Sequence, residues 1–379
     1  MKNLTLIMSI EEIGAVHLGK DVFLFPYYLS KELGYSFNMI LTKCAFNEGM
    51  PSDYRGTKII RLDKKDNLRH YKEYLKSYAK EIDVLLLFHC QTETSILAKI
   101  YKKFNKKGKI ILKSDANKFV VNNKLIPLAL RKIKYNVFFR HKYKIRLFDM
   151  IVAETDDIYN LFYKYGLLYT NIRKKLIKIY NGFDENEIIR NEIKIKDFTQ
   201  KENVIITVGR MGSYQKNSEL FIDAIKGMDL KDWRVKLIGP YTDDFYNYFS
   251  ENSNSSAELP GNIENKKDLY NEYNNAKVFV LTSRWEGFAL VLPEAARFGN
   301  FIVSTDIGGI KEVTNNGELG LILDSDINSF REAIRKIVNG EIDLEKKYYE
   351  IVKNAKQKFM WEKIIKDEII NIKKLLKIV

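Results

Sequence analysis

Thr282-Ser283-Arg284-Trp285-Glu286-Gly287-Phe288-Ala289-Leu290-Val291-Leu292-Pro293-Glu294-Ala295-Ala296 is the stretch whose reading decides the fold. Before it, Val278-Phe279-Val280-Leu281 is an unbroken apolar run, the pattern of a strand buried on both faces. After it the chain reads as a short helix. Pro293 opens that helix, because its fixed φ and missing N–H suit a first turn, and Gly299 ends it. Glu286, Gly287, Phe288 and Ala289 therefore fall in a strand-to-helix loop at the carboxyl end of a strand, where open α/β sheets bind ligands. The amides of Gly287, Phe288 and Ala289 lie near a helix start and can face an anion. Glu294, in the first turn, can accept hydrogen bonds from hydroxyls such as those of a ribose.

Upstream, Val204-Ile205-Ile206-Thr207-Val208 reads as a strand that runs into Gly209-Arg210-Met211-Gly212-Ser213-Tyr214-Gln215-Lys216-Asn217, with a helix following. Arg210 can grip two phosphate oxygens through its fork, and Lys216 adds a mobile point charge, so the pair can neutralise a diphosphate. Lys236-Leu237-Ile238-Gly239-Pro240 is a further strand with a Gly-Pro turn. Downstream, Phe301 to Ser304 is a strand leading to Gly308-Gly309, where the missing side chains allow close backbone approach. Asp324-Ser325-Asp326 follows a strand and precedes a helix, where Asp and Ser are ordinary caps; no metal is required.

The first half repeats the alternation. Leu4-Thr5-Leu6-Ile7-Met8 is a strand, then a loop carries Gly14 and Gly19, and a helix runs from Asp21 to Leu33. Strand, glycine loop and helix N-terminus form a phosphate-facing arrangement. Val84 to Phe88 is a buried strand ending in His89, Thr92 can cap the next helix, and Ile110-Ile111-Leu112 leads to Lys113-Ser114-Asp115. His89 and Asp115 sit at carboxyl ends of strands, where they either touch substrate or cap structure. Strands alternating with helices predict parallel sheets with right-handed crossovers.

Length and charge bound the rest. A chain of 379 residues suggests two domains: 1–190 with the terminal helix at about 360–379, and 201–358, with a polar linker over 185–202. Cys44 and Cys90 stand in no metal spacing and fit small core positions in a reducing cytoplasm. No signal peptide or membrane-spanning run is evident. The net charge is +14, and residues 99–146 carry sixteen Lys/Arg against one acid, Asp115. Nucleic acid, anionic lipid or a phosphorylated substrate could answer that charge. Within Leu125–Phe148 the basic residues interleave with Leu, Ile, Val and Phe, a pattern that can lie in a membrane interface or pack on a sheet with a basic outer face. No nucleic-acid module is recognisable.

Glu286 and Glu294, with seven residues between, resemble the E-x7-E motif of retaining family-4 glycosyltransferases of the GT-B fold (glycosyl transferases group 1), of the bacterial surface-polysaccharide type. The same spacing at Glu73/Glu81 and Glu264/Glu272 lies in amphipathic helical stretches, so context, not spacing, singles out the pair. Gly209-Arg210 with Lys216-Asn217 matches the family's G-R-x(n)-K-N element, Gly308-Gly309 resembles its donor-phosphate loop, and Asn181-Gly182-Phe183-Asp184 its N-G-[hydrophobic]-D element. Where the family carries paired glycines, this chain has Leu18-Gly19-Lys20-Asp21. The resemblance implies two Rossmann-like domains facing across a cleft, with a C-terminal helix returning to the first. It implies transfer of a sugar, with retention and without metal or other cofactor, from a nucleotide-diphosphate sugar to a lipid-linked or polysaccharide acceptor. By family frequency the donor is a UDP-sugar; a GDP-mannose-type mannosyltransferase is the alternative. Arg210, Lys216 and Glu286 would be catalytic, with Asp115 and His89 on the acceptor side. Glu294, Gly287, Phe288, Ala289, Gly19, Gly209 and Gly309 would hold the donor. The protein would sit on the cytoplasmic face of the plasma membrane through Leu125–Phe148. A basic nucleic-acid-binding protein without transferase activity is the rival from another class.

Overall fold

The computed structural model describes residues 1–8, 13–63, 67–89, 91–117, 146–165 and 172–378. The chain divides into two units, Met1–Asn181 with Trp361–Val379, and Gly182–Met360. The interfacial reading of Leu125–Phe148 lies, up to residue 145, outside the described residues, as does Cys90.

The first unit is built on strands β1 (Asn3–Ile7), β2 (Ser36–Thr42), β3 (Asp53–Tyr54), β4 (Thr57–Leu62), β5 (Val84–Phe88), β6 (Lys109–Ser114), β7 (Met150–Ala153) and β8 (Leu176–Lys178). Their order is β3-β4-β2-β1-β5-β6-β7-β8, parallel throughout except the short β3. Helices α1 (Asp21–Leu33), α2 (Asn67–Tyr78), α3 (Thr92–Phe104) and α4 (Asp156–Tyr165) connect them. Successive strand side chains point to opposite faces, and the two cores divide accordingly. Leu4, Leu6, Leu86 and Phe88 pack with Phe23 and Leu29 of α1, whereas Ile7, Leu85 and Leu87 pack with Tyr71, Leu75, Leu97 and Tyr101. The terminal helix, Trp361–Leu376, completes the first of these cores with Trp361, Ile365, Ile372 and Leu376. Each such side chain contributes about 1.5–3 kcal/mol on burial, which holds the end of the chain in the first unit.

The second unit carries β9 (Glu202–Val208), β10 (Arg234–Ile238), β11 (Ala257–Gly261), β12 (Ala276–Leu281), β13 (Phe301–Thr305) and β14 (Gly320–Leu323), all parallel, in the order β11-β10-β9-β12-β13-β14. This is the doubly wound order, and it reverses between β9 and β12, so their carboxyl ends open a crevice. Helices α5 (Glu185–Arg190), α6 (Ser218–Ile225), α7 (Asp243–Asn252), α8 (Lys266–Asn275), α9 (Val291–Arg297), α10 (Ile310–Val313), α11 (Ile327–Val338) and α12 (Leu344–Lys358) flank it.

Three local expectations are corrected. The stretch expected as linker holds α5 and lies in the second unit. Ala257–Gly261, a segment the sequence reading left unassigned, is a strand that takes the sheet edge, where the ladder shifts register and the missing proline N–H costs no bond. Gln91, not Thr92, takes the cap position of α3, while Thr94 Oγ1 donates to the His89 carbonyl at 2.9 Å. Helix α9 starts at Val291, which leaves Pro293 still inside the first turn, where amides have no helical partner anyway. Asp326 caps α11, accepting from the Ser329 amide at 3.0 Å.

Candidate active site

In the second unit, two crevice loops are tied to each other by side chains. The loop after β9 begins at Gly209, whose missing Cβ lets the Lys216 stem pass; a Cβ there would lie 3.3 Å from Lys216 Cε. Asn217 turns the chain into α6 with a left-handed φ of 52°. Thr282, at the end of β12, donates to the Lys216 and Asn217 carbonyls and fixes that turn against the neighbouring strand. Lys216 Nζ then meets Glu286 Oε1 at 2.7 Å, with the two side chains only 15% and 11% exposed. Ser283 Oγ donates to the same oxygen at 2.8 Å and Gln215 Nε2 to the other at 3.1 Å. Gln215 also accepts from Arg210 Nη2 at 3.2 Å, so Arg210, Gln215, Glu286 and Lys216 form one connected chain of groups. Arg210 stays exposed at its outer end, a fork open to an oxyanion.

The remaining donor-side residues are close to this chain in sequence but held differently. Glu294 pairs with Lys266 at 2.5 Å, and its charge, after burial, keeps the Tyr270 and Tyr273 phenols far above their ordinary range. Arg297, one turn further along α9, makes a bidentate pair with Glu185 at 2.5 and 2.6 Å and pins the helix that carries Glu294. Of the three amides expected to face an anion, that of Ala289 is taken: it donates to the Gly308 carbonyl at 3.1 Å. Phe288 is buried, its ring 6.3 Å from that of Phe359. Gly309 has φ 94° and begins α10 beside the Phe288 ring. Gly308 is tighter, since a Cβ there would lie 1.6 Å from the Gly287 carbonyl oxygen. Gly308→Ala is therefore expected to cost about 3 kcal/mol or more and to displace the Glu286–Ala289 loop, read as a lowered urea midpoint together with lost nucleotide binding. An unchanged midpoint would contradict the close packing of the two loops.

In the first unit, His89 and Asp115 do come together, with Nδ1 and Oδ2 3.9 Å apart. His89 holds a positive φ of 61°, sparsely populated for its residue type, and is fixed on both sides by backbone hydrogen bonds to Lys113 and Gln91. Burial lowers its pKa against the pull of Asp115 and Asp21, which favours a neutral ring able to take a proton. Beneath them lies a cluster the motif reading passes over. Lys113, wholly buried at the end of β6, binds Asp21 at 2.6 Å and Asn181 at 2.9 Å, and pairs with Glu154. The steric demand for glycine in the first loop falls on Gly14, where a Cβ would meet the Phe46 carbonyl oxygen at 2.3 Å. At Gly19 a Cβ would meet nothing within 4 Å.

Among the described residues no helix is long and apolar enough to cross a membrane. Gln215, Lys266, Arg297 and the Lys113 cluster escape sequence reading because partners that define them lie far along the chain, and Ser283 because a single serine three residues before Glu286 carries no pattern of its own. Lys113 alone leaves a trace, as a lysine closing the apolar run Ile110-Ile111-Leu112.

Residues 188–358 match the family described as Glycosyl transferases group 1. An uncharacterized glycosyltransferase of Methanocaldococcus jannaschii is 30% identical over 236 residues, 62% of this chain and 61% of that protein. The capsular polysaccharide biosynthesis glycosyltransferase CapM of Staphylococcus aureus is 25% identical over 197 residues, 48% of this chain and 50% of its own length. The chain thus spans about three fifths and one half of these two relatives. Anabaena HepE, solved in complex with UDP-glucose, superimposes with a TM-score of 0.71 at 13% identity, over 99% of this chain and 100% of that one, which establishes a shared fold. The two parallel-sheet units have the GT-B fold of such solved structures, and residues 188–358 are similar to the glycosyl transferases group 1 family.

Proposed function

We propose that this chain is a retaining glycosyltransferase that moves a sugar from a nucleotide-diphosphate donor, a UDP-sugar in the first instance, to a lipid-linked or polysaccharide acceptor in surface-glycan synthesis. The observation that carries the reading is the connected set Arg210, Gln215, Glu286 and Lys216 at the carboxyl ends of β9 and β12. Cations placed there meet the charge that builds on a departing diphosphate, the electrostatic effect that dominates such chemistry. Glu286 is assigned to sugar hydroxyls and Glu294 to the ribose, with the amides of Gly287 and Phe288 and the turns at Gly209 and Gly309 giving the phosphates close approach. The bond from the anomeric carbon to the phosphate oxygen breaks as the acceptor oxygen bonds to the same face, and the acceptor proton passes to the leaving phosphate. His89 and Asp115 are assigned to the acceptor hydroxyl. The residues present supply the charge themselves, so the reading needs no metal or other cofactor. Relatives named for capsular and lipopolysaccharide synthesis support the acceptor class, and the basic, apolar-interleaved run Leu125–Phe148 supports docking on an anionic membrane face.

A panel of UDP-glucose, UDP-galactose, UDP-N-acetylglucosamine and GDP-mannose tests the reading by thermal shift and by hydrolysis, with EDTA present. At a hundredfold excess over Kd a true donor stabilises the protein by about 2.7 kcal/mol. A UDP-sugar is expected to give the largest shift; GDP-mannose giving it selects the mannosyltransferase alternative. No shift with any of the four, alongside tight binding of duplex DNA, would sink the proposal.

A further inference from the structure

Lys266 opens α8, which follows β11, and Glu294 lies in the first turn of α9, which follows β12. Their ion pair therefore ties two helix starts on the carboxyl side of the second sheet, the side that also carries the Lys216–Glu286 pair. Lys266 Nζ meets Glu294 Oε1 at 2.5 Å and stands 4.7 Å from the centroid of the Tyr270 ring. The two side chains are 31% and 13% exposed, so the pair is partly open to solvent. A cation at the amino end of a helix opposes the helix dipole, and a partly exposed ion pair returns little. The fold alone gains little from Lys266. A site for an anionic ligand gains more, because Glu294 by itself would repel a diphosphate and Lys266 cancels that charge.

We infer that Lys266 is a donor-binding residue that joins Glu294 in reading the vicinal diol of the donor's ribose, an inference that rests on the nucleotide-sugar reading above. The chemistry is a matching of hydrogen-bond donors to acceptors. A carboxylate only accepts, at about four lone-pair positions, and an ammonium only donates, through its three N–H groups. With one bond made between them, each keeps capacity for hydroxyls. A hydroxyl does both, so a diol can donate to Glu294 while it accepts from Lys266. Glu294 alone would satisfy half of that pattern. A nucleotide without the two hydroxyls covers the pair and leaves it unmatched, which costs affinity.

UDP and GDP, each beside its 2′,3′-dideoxy analogue, are titrated by calorimetry against the unaltered chain and Lys266→Gln. The analogues keep base and diphosphate and lack only the diol. On the unaltered chain, the tighter of the two nucleotides is expected to lose about a hundredfold in affinity when its hydroxyls are removed. Lys266→Gln is expected to weaken that nucleotide about tenfold and its dideoxy analogue by less than about twofold, with a urea midpoint showing the variant folded. Equal losses for both ligands overturn the inference in favour of a phosphate contact. Unchanged or tighter nucleotide binding by the variant overturns it in favour of a structural pair or of a latch over Glu294. Equal binding of nucleotide and dideoxy analogue by the unaltered chain overturns it without any variant and leaves the donor reading in place. Binding of neither UDP nor GDP is a different result, one that removes the donor reading itself.

Discussion

In the transfer proposed above, Lys216→Ala is expected to lower kcat, or the rate of donor hydrolysis where no acceptor is supplied, by about a thousandfold while the second unit stays folded. The size follows from where the ammonium sits. It is largely buried against Glu286, in a site where the effective dielectric is well below that of water, and it lies on the loop that closes the crevice between β9 and β12. In the proposed reaction, charge that appears on the diphosphate only as the glycosyl bond breaks would meet that ammonium already in place, so its removal should raise the barrier more than it weakens the ground state. The loss should therefore fall mainly on kcat, with a smaller change in donor KM. Stability should fall by up to about 3 kcal/mol, because the variant leaves the Glu286 carboxylate largely buried without its ammonium. Glu286 keeps the Ser283 hydroxyl and the Gln215 amide, which hold the loss below that of a wholly stranded charge. Lys216→Arg tests geometry against charge, because the planar fork cannot follow the same path over Gly209. Steady-state kinetics with the donor chosen by the binding panel, together with a urea midpoint, measures both quantities. Retention of more than a tenth of wild-type kcat would remove Lys216 from the transfer step.

What sequence alone made legible followed from locality. The strand Val278–Leu281, the loop after it and the proline-bearing helix are written in one continuous stretch, and the structure builds them as β12, loop and α9. The Arg210–Asn217 loop is equally local. Hidden from view were interactions that join segments far apart, such as Arg297 to Glu185, Lys266 to Glu294, and the bond that removes the Ala289 amide from anion duty. The edge strand Ala257–Gly261 was masked for another reason: proline argues against a strand in general, but not at a sheet edge beside a register shift. Gly14 against Gly19 shows the same limit. Either glycine fits a phosphate-facing loop on paper, and only the Phe46 carbonyl, delivered by a different loop, makes one of them obligatory.

Lys113→Met should destabilise the first unit by about 3–5 kcal/mol, since it leaves two carboxylates buried around an apolar side chain. One ammonium serves both Asp21 and Glu154 in this cluster, and Asn181 completes its shell. Burial pulls Lys113 down, but the two carboxylates outweigh it and hold the ammonium above its ordinary value. Glu154 is the poorly compensated partner. Burial, reinforced by Asp115 and Asp21 and opposed by Lys113, pushes its pKa up to about 8 from an ordinary 4.5. The sign of the pH dependence follows. Between pH 4.5 and about 8 the folded chain holds the Glu154 proton more tightly than the unfolded chain, so this group's contribution to stability falls as pH rises through that window. Glu154→Gln, which mimics the protonated acid, should remove that slope. His89 and Lys201 titrate with opposite sign, their folded values being lowered, but both are present in the two proteins and cancel in the difference. Urea unfolding of the first unit, followed at pH 5 and pH 8.5 for the unaltered chain and Glu154→Gln, isolates the term. A difference that stays constant across that range would mean Glu154 is ionised throughout, and that Lys113 neutralises both carboxylates.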